Sequence, residues 1–92
     1  MTLLYSQEAK GQIRSLSPEI KKGLREILEG LREDPYLGKP LQRELSGFWS
    51  LVFKQYRVIY KIIPRDNAVR IYMIGRRETV YEEFTKSRSP KD

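Results

Sequence analysis

The sequence contains neither cysteine nor histidine. Without cysteine there is no disulfide framework, no thiolate zinc site and no thiol nucleophile. Without histidine there is no Ser-His-Asp triad and no imidazole acid–base pair. No apolar run approaches the ~20 residues that a membrane span needs. Met1 to Lys10 carries no apolar signal region. The expectation is a cytoplasmic protein without membrane contact. A glycine-rich phosphate loop is also missing. Any catalysis has to run on Tyr, Lys, Arg or carboxylates, and neither a metal nor a small-molecule cofactor is expected.

What is present is a short, basic chain. Its 92 residues suit one domain, burying roughly 60–65% of the unfolded surface. Lysine and arginine total 18 against 12 acidic residues, a net charge of +6. The excess is uneven: residues 1–46 hold 8 basic and 7 acidic side chains, residues 47–92 hold 10 and 5. A positive half points to an anionic partner such as nucleic acid, an acidic protein segment or a membrane surface; solvated charge on a small protein is the plainer alternative.

The periodicity divides the chain. Thr2 to Tyr5 is a short apolar start, expected to be an edge strand. Ser6 is placed to cap a helix, with Glu8 in its first turn. Tyr5, Ala9, Ile13 and Leu16 recur at helical spacing. Ser17-Pro18 restarts the helix, with proline at the first helical position. Ile20, Leu24, Ile27, Leu28 and Leu31 form a second stripe, so the two segments read as a helical hairpin. Asp34-Pro35 ends it, and residues 35–47 read as a long loop. The period then becomes two. Runs at 48–54, 56–63 and 69–74, rich in aromatic and β-branched residues, read as an antiparallel meander. In the last run Val69, Ile71 and Met73 are expected on one face, Arg70, Tyr72 and Ile74 on the other. A short helix is expected over about 78–86. The expected fold is α+β: an N-terminal helical hairpin on a small antiparallel sheet, with a short C-terminal helix. Residues 1–86 form the domain, and 87–92 read as a polar, disordered tail.

Some residues stand out as candidates for chemistry. Arg57 interrupts an apolar strand, and a charged residue there must face solvent or find a partner. Lys61 lies four residues on, on the same face; Lys54 can join from the neighbouring strand. Arg76 and Arg77 sit at a strand end, where guanidinium forks can meet phosphate. Tyr81, close to both in sequence, is a candidate general base. Each has a plain counterpart: a wet sheet face, a solvated turn, a helix residue packing on the sheet edge. Trp49, Phe53, Tyr56 and Tyr60 fall on alternating positions and read as core. Gly23 and Gly30 read as close-packing positions.

The order of elements, with LQRELSG at 41–47, Trp49-Ser50-Leu51, YRVIY at 56–60 and IGRRETVY at 74–81, resembles the RelE/ParE superfamily of type II toxin–antitoxin toxins. The resemblance covers roughly residues 2–86. It implies a toxin that cuts mRNA in the ribosomal A site or, in the ParE manner, inhibits DNA gyrase without cutting; a degenerate toxin that only binds its antitoxin is a third outcome. It implies an acidic antitoxin partner. Carried over by position, it implies Arg57 as phosphate clamp, Arg77 as stabiliser of transition-state charge, and Tyr81 as general base or stacking group. Lys54, Lys61 and Arg76 would be further phosphate contacts. Ser50 and Val52 stand where active members commonly carry basic residues.

Overall fold

The computed structural model describes residues 1–88. The elements are β1 (Thr2–Tyr5), α1 (Gln7–Arg14), α2 (Pro18–Glu33), β2 (Lys39–Pro40), β3 (Trp49–Phe53), β4 (Tyr56–Ile63), β5 (Ala68–Arg76) and α3 (Val80–Arg88). The five strands form one sheet in the order β1-β5-β4-β3-β2. The chain is therefore α+β, with β2 to β5 antiparallel as the meander implies. β1 is the expected edge strand, but it pairs parallel to β5. About two thirds of the chain separates the two strands, so no hairpin imposes opposite directions.

Local chemistry starts and stops the helices where the sequence suggests. The Ser6 hydroxyl accepts the Ala9 N–H at 3.0 Å, and Ser17 Oγ accepts that of Ile20 at 3.4 Å. Segment 35–47 is more structured than a plain loop. Two 3-10 turns, Pro35–Leu37 and Arg43–Leu45, flank β2, which pairs with Trp49 and Ser50 of β3. Pro40 fits there because an edge strand leaves one row of N–H positions unused. At the other end α3 takes in Ser87 and Arg88, so it runs past the expected domain end at 86; the rest of the expected tail lies outside the described residues.

The sheet is covered on both faces. The hairpin buries Ala9, Leu24, Leu28 and Leu31 against Val58, Tyr60, Val69, Ile71 and Ile74. Gly23 allows close approach, since a Cβ there would lie 2.7 Å from the Phe53 ring. On the opposite face α3 buries Val80 and Phe84 against Phe48, Ile59 and Met73. That face is therefore part core, not an open basic surface.

A β-bulge separates the two halves of β5. Ile59 is opposite Met73, but Tyr60 is opposite Ile71, so Tyr72 is the extra residue. Ile71 packs under the hairpin while Met73 packs under α3. The strict alternation expected for Val69, Ile71 and Met73 breaks here. β1 has already ended at Tyr5, so the outer edge of β5 beyond Ile71 has no neighbouring strand. Side chains of the Ser6–Gln12 segment serve it instead. Ser6 Oγ donates to the Tyr72 carbonyl at 2.7 Å, and Gln12 Oε1 accepts the Ile74 N–H at 2.7 Å. Gln12→Ala strips that N–H of its acceptor. It is expected to cost about 1–3 kcal/mol, read as a lower urea midpoint with unchanged m-value; an unchanged midpoint would mean water replaces the amide.

Tyr60 ties β4 to the chain before β2. Its ring is fully buried; its hydroxyl donates to the Pro35 carbonyl at 2.7 Å and accepts the Gly38 N–H at 3.0 Å. Burial, helped by the nearby Asp34 carboxylate and opposed by the Gly38 N–H, raises its pKa above the ordinary 10.0. Tyr5 is raised too, by burial first and by Glu29 second, with Arg32 and Arg25 opposing. A phenol held protonated in the folded state contributes stability that is complete below the unfolded pKa. That stability is lost as pH rises from about 10 through the folded value. Urea midpoints should fall above pH 10, and fall less steeply in Tyr60→Phe; parallel curves for the two proteins would refute the assignment.

Candidate functional site

The site is built where α3 crosses the ends of β3, β4 and β5. Val52, Arg57 and Gly75 are paired in one row across these strands. Glycine at 75 matters because a Cβ would lie 3.0 Å from Val80 Cγ2 and 3.3 Å from Glu83 Oε1. Its absence lets α3 settle on the sheet, with Val80 fully buried. The first turn of α3 then carries Tyr81 over β3 and β4.

There the Tyr81 oxygen accepts Arg57 Nη1 at 2.6 Å and lies 2.9 Å from Ser50 Oγ. The Arg57 guanidinium sits over the same ring, 4.9 Å from its centroid. Ser50 is only 5% exposed. Two hydroxyls and a guanidinium thus converge on one point.

The electrostatics are unbalanced. Arg57 is half-buried, its Nε is buried without a hydrogen-bond partner, and no carboxylate among the described residues pairs with it. Among the described residues the one ion pair is Arg32–Glu29, on the far side of the molecule. Glu83 lies beside Gly75, but Thr79 Oγ1 holds it at 3.3 Å instead. The buried Nε is shut off from solvent, so an anion meeting this cation would have to be held by its other N–H groups.

The other sequence candidates are distributed around this pair. Arg77 is exposed and fastened to the β3–β4 turn, its N–H on the Gln55 carbonyl at 2.8 Å and its Nη1 on the Lys54 carbonyl at 3.2 Å. Lys54 adopts a left-handed backbone conformation (φ 56°), and its ammonium lies over the Phe53 ring. Arg76 is paired with Tyr56 and lies over that ring. Phe53 and Tyr56 both pack with the hairpin-side core, so these two cations are not gathered at Tyr81. Lys61 shares the face of Arg57 and sits over Phe48. Sequence reasoning missed Ser50 as a partner. It lies 31 residues from Tyr81, and its one signal was a small polar side chain in an apolar strand.

Residues 3–81 match the family model described as the ParE toxin of the type II toxin–antitoxin system parDE. The chain belongs to the RelE/ParE superfamily of type II toxins. This RelE/ParE toxin is 32% identical over 82 residues to toxin RelG of Mycobacterium tuberculosis, covering 87% of this chain and 94% of that one. It is 31% identical over 70 residues to toxin YoeB of Escherichia coli, covering 67% and 83%. Its fold superposes on a chain of the RelBE2 toxin–antitoxin complex of M. tuberculosis with TM-score 0.76 and 31% identity, over 83% and 90% of the two chains. The isolated E. coli RelE toxin shares the fold at TM-score 0.72 and 22% identity, over 94% and 96%. The RelBE2 chain is seen in a complex with its antitoxin. No helix among the described residues is long and apolar enough to cross a membrane.

Proposed function

We propose that this toxin is a ribosome-dependent mRNA endoribonuclease of the RelE kind. The observation that carries the reading is Arg57: a half-buried guanidinium with no carboxylate partner among the described residues, bonded to a phenol that also meets Ser50. That is the arrangement for a phosphodiester. In the reaction the ribose 2′-oxygen attacks phosphorus and gives up its proton, a cyclic phosphate forms, and the P–O5′ bond breaks as the leaving oxygen gains a proton. Arg57 would clamp the non-bridging oxygens. Arg77, exposed at the same end of the sheet, would meet the charge that develops on them. Tyr81 would handle a proton or stack on the base.

The antitoxin is proposed to be acidic. A groove of about 390 Å³ between α1 and α2 has Ile13, Leu24 and Leu28 on its floor and Lys10, Arg14, Lys21 and Arg25 on its rim. It suits an amphipathic acidic helix. The groove lies on the opposite side of the sheet from Tyr81.

The test is purified toxin added to ribosomes stalled on a defined message, with 5′ ends mapped. A cut in the A-site codon is expected at micromolar toxin. The gyrase reading has its own support, in the ParE description of the matching family model and in uncharged Ser50 and Val52. Intact message together with inhibited DNA supercoiling would replace the nuclease reading with that one. Intact message and unaffected gyrase would leave a toxin that only binds its antitoxin.

A further inference from the structure

The α3 face of the sheet carries a second concentration of positive charge, at the end away from Tyr81. Lys61 and Arg70 are directly opposed across the β4–β5 ladder. Like charges so placed repel, and neither forms an ion pair among the described residues. Each is laid over an aromatic ring instead: Lys61 Nζ is 5.2 Å from the Phe48 centroid, and the Arg70 guanidinium 5.5 Å from that of Tyr72. Arg65, in the turn at Pro64–Asp66, lines a groove of about 520 Å³ with Lys61 and Tyr72.

The bulge makes this arrangement. Counted regularly from Gly75, position 70 would fall on the hairpin face. The extra residue, Tyr72, reverses the phase, so that Arg70 joins Lys61 and Arg57 on the α3 face while Val69 and Ile71 turn into the core. Bulges commonly re-aim side chains in this way beside functional sites.

We propose that Lys61, Arg65 and Arg70 form a second RNA-binding site, which holds the single strand a few nucleotides from the phosphate at Arg57. The inference rests on reading the Arg57–Tyr81 site as an RNA site. Arg57 and Lys61 are four residues apart on one strand face, about 13 Å, so one extended strand can touch both. A guanidinium laid over an aromatic ring offers a plane on which a base stacks, beside cations for its phosphates. An acidic peptide would use the charges and leave the plane idle.

The experiment measures binding of a fluorescent 12-nucleotide single-stranded RNA, 2′-O-methylated so that it cannot be cut, to the full chain over a range of salt. The double variant Arg65→Gln/Arg70→Gln should bind more weakly, with a salt slope flatter by about 1.4, the value for two lost phosphate contacts. Arg57→Ala should flatten the slope further when combined with it. Lys61→Gln gives a second reading should the double variant melt early, and Arg70→Lys should restore most of the slope. An unchanged slope in both Arg65→Gln/Arg70→Gln and Lys61→Gln overturns the proposal, as does wild-type toxin that does not bind this RNA. So does loss of binding to a polyglutamate peptide while RNA binding stays intact, which would assign the patch to an acidic protein segment. If ribosomes yield no cut but the slope changes appear, the nuclease reading falls and the second site stands.

Discussion

Arg57→Ala is expected to lower the rate of A-site cleavage by about 10²-fold or more. The size follows from how much this guanidinium does. It is the charged group bonded to the Tyr81 oxygen, and its Nε still lacks an acceptor. Removing it takes away the cation proposed to clamp the phosphodiester and the donor that fixes the phenol. Arg57→Lys keeps the charge but loses the planar fork, so its rate should fall between those of the wild type and the alanine variant. If the role lies in the transition state, kcat should fall; a rise in KM alone would mean uniform binding of substrate. Tyr81→Phe separates the remaining parts, because it keeps the ring beneath Arg57 and deletes the oxygen. The variants should melt close to the wild type, since Tyr81 is only partly buried and α3 is anchored by Val80 and Phe84. An unchanged cleavage rate in Arg57→Ala would remove the clamp from the mechanism.

Much of the fold is written locally and can be read directly. Ser6 and Ser17-Pro18 start helices because capping is a matter of neighbouring residues. The meander strands announce themselves by aromatic and β-branched alternation. Non-local features leave weaker traces. The bulge at Tyr72 has no sequence mark, because the run VRIYMI reads the same with or without an extra residue. It exists because Met73 has a place beneath α3 while Ile71 has one beneath the hairpin, and because Ser6 and Gln12 take up the edge groups left without a strand. The candidate site divides similarly. Arg57 was visible as a charge inside an apolar run, and Tyr81 through its place after the arginines. That the two meet depends on Gly75 admitting α3 to the sheet. The orientation of Lys54 turns on a left-handed backbone at that residue, which apolar periodicity does not encode.

Gly38→Ala connects the core to the site and should have the largest effect on stability. The backbone at Gly38 is ordinary, with φ −82°, so strain is not the issue. Space is: an added Cβ would lie 2.7 Å from Tyr60 Oη and even closer to the Ser50 carbonyl oxygen. Neither can step aside cheaply. Tyr60 is fully buried and tied to the Pro35 carbonyl, and Ser50 belongs to β3 between β2 and β4. Overpacking at such a site costs about 1–3 kcal/mol, and loosening the Tyr60 hydrogen bonds adds a comparable amount. A total near 3 kcal/mol would lower the Tm of a domain this size by more than about 12 °C. The relief open to the chain is to push β3 outward at Ser50. That would carry Ser50 Oγ away from the Tyr81 hydroxyl, which now lies 2.9 Å from it. Cleavage measured well below the melting point should therefore fall in Gly38→Ala by more than the unfolded fraction accounts for. Gly47→Ala is the comparison: its φ of 96° costs stability, but no atom lies within 4 Å of the added methyl. If both variants lose activity only in proportion to unfolding, the path from Gly38 through Ser50 to Tyr81 does not operate.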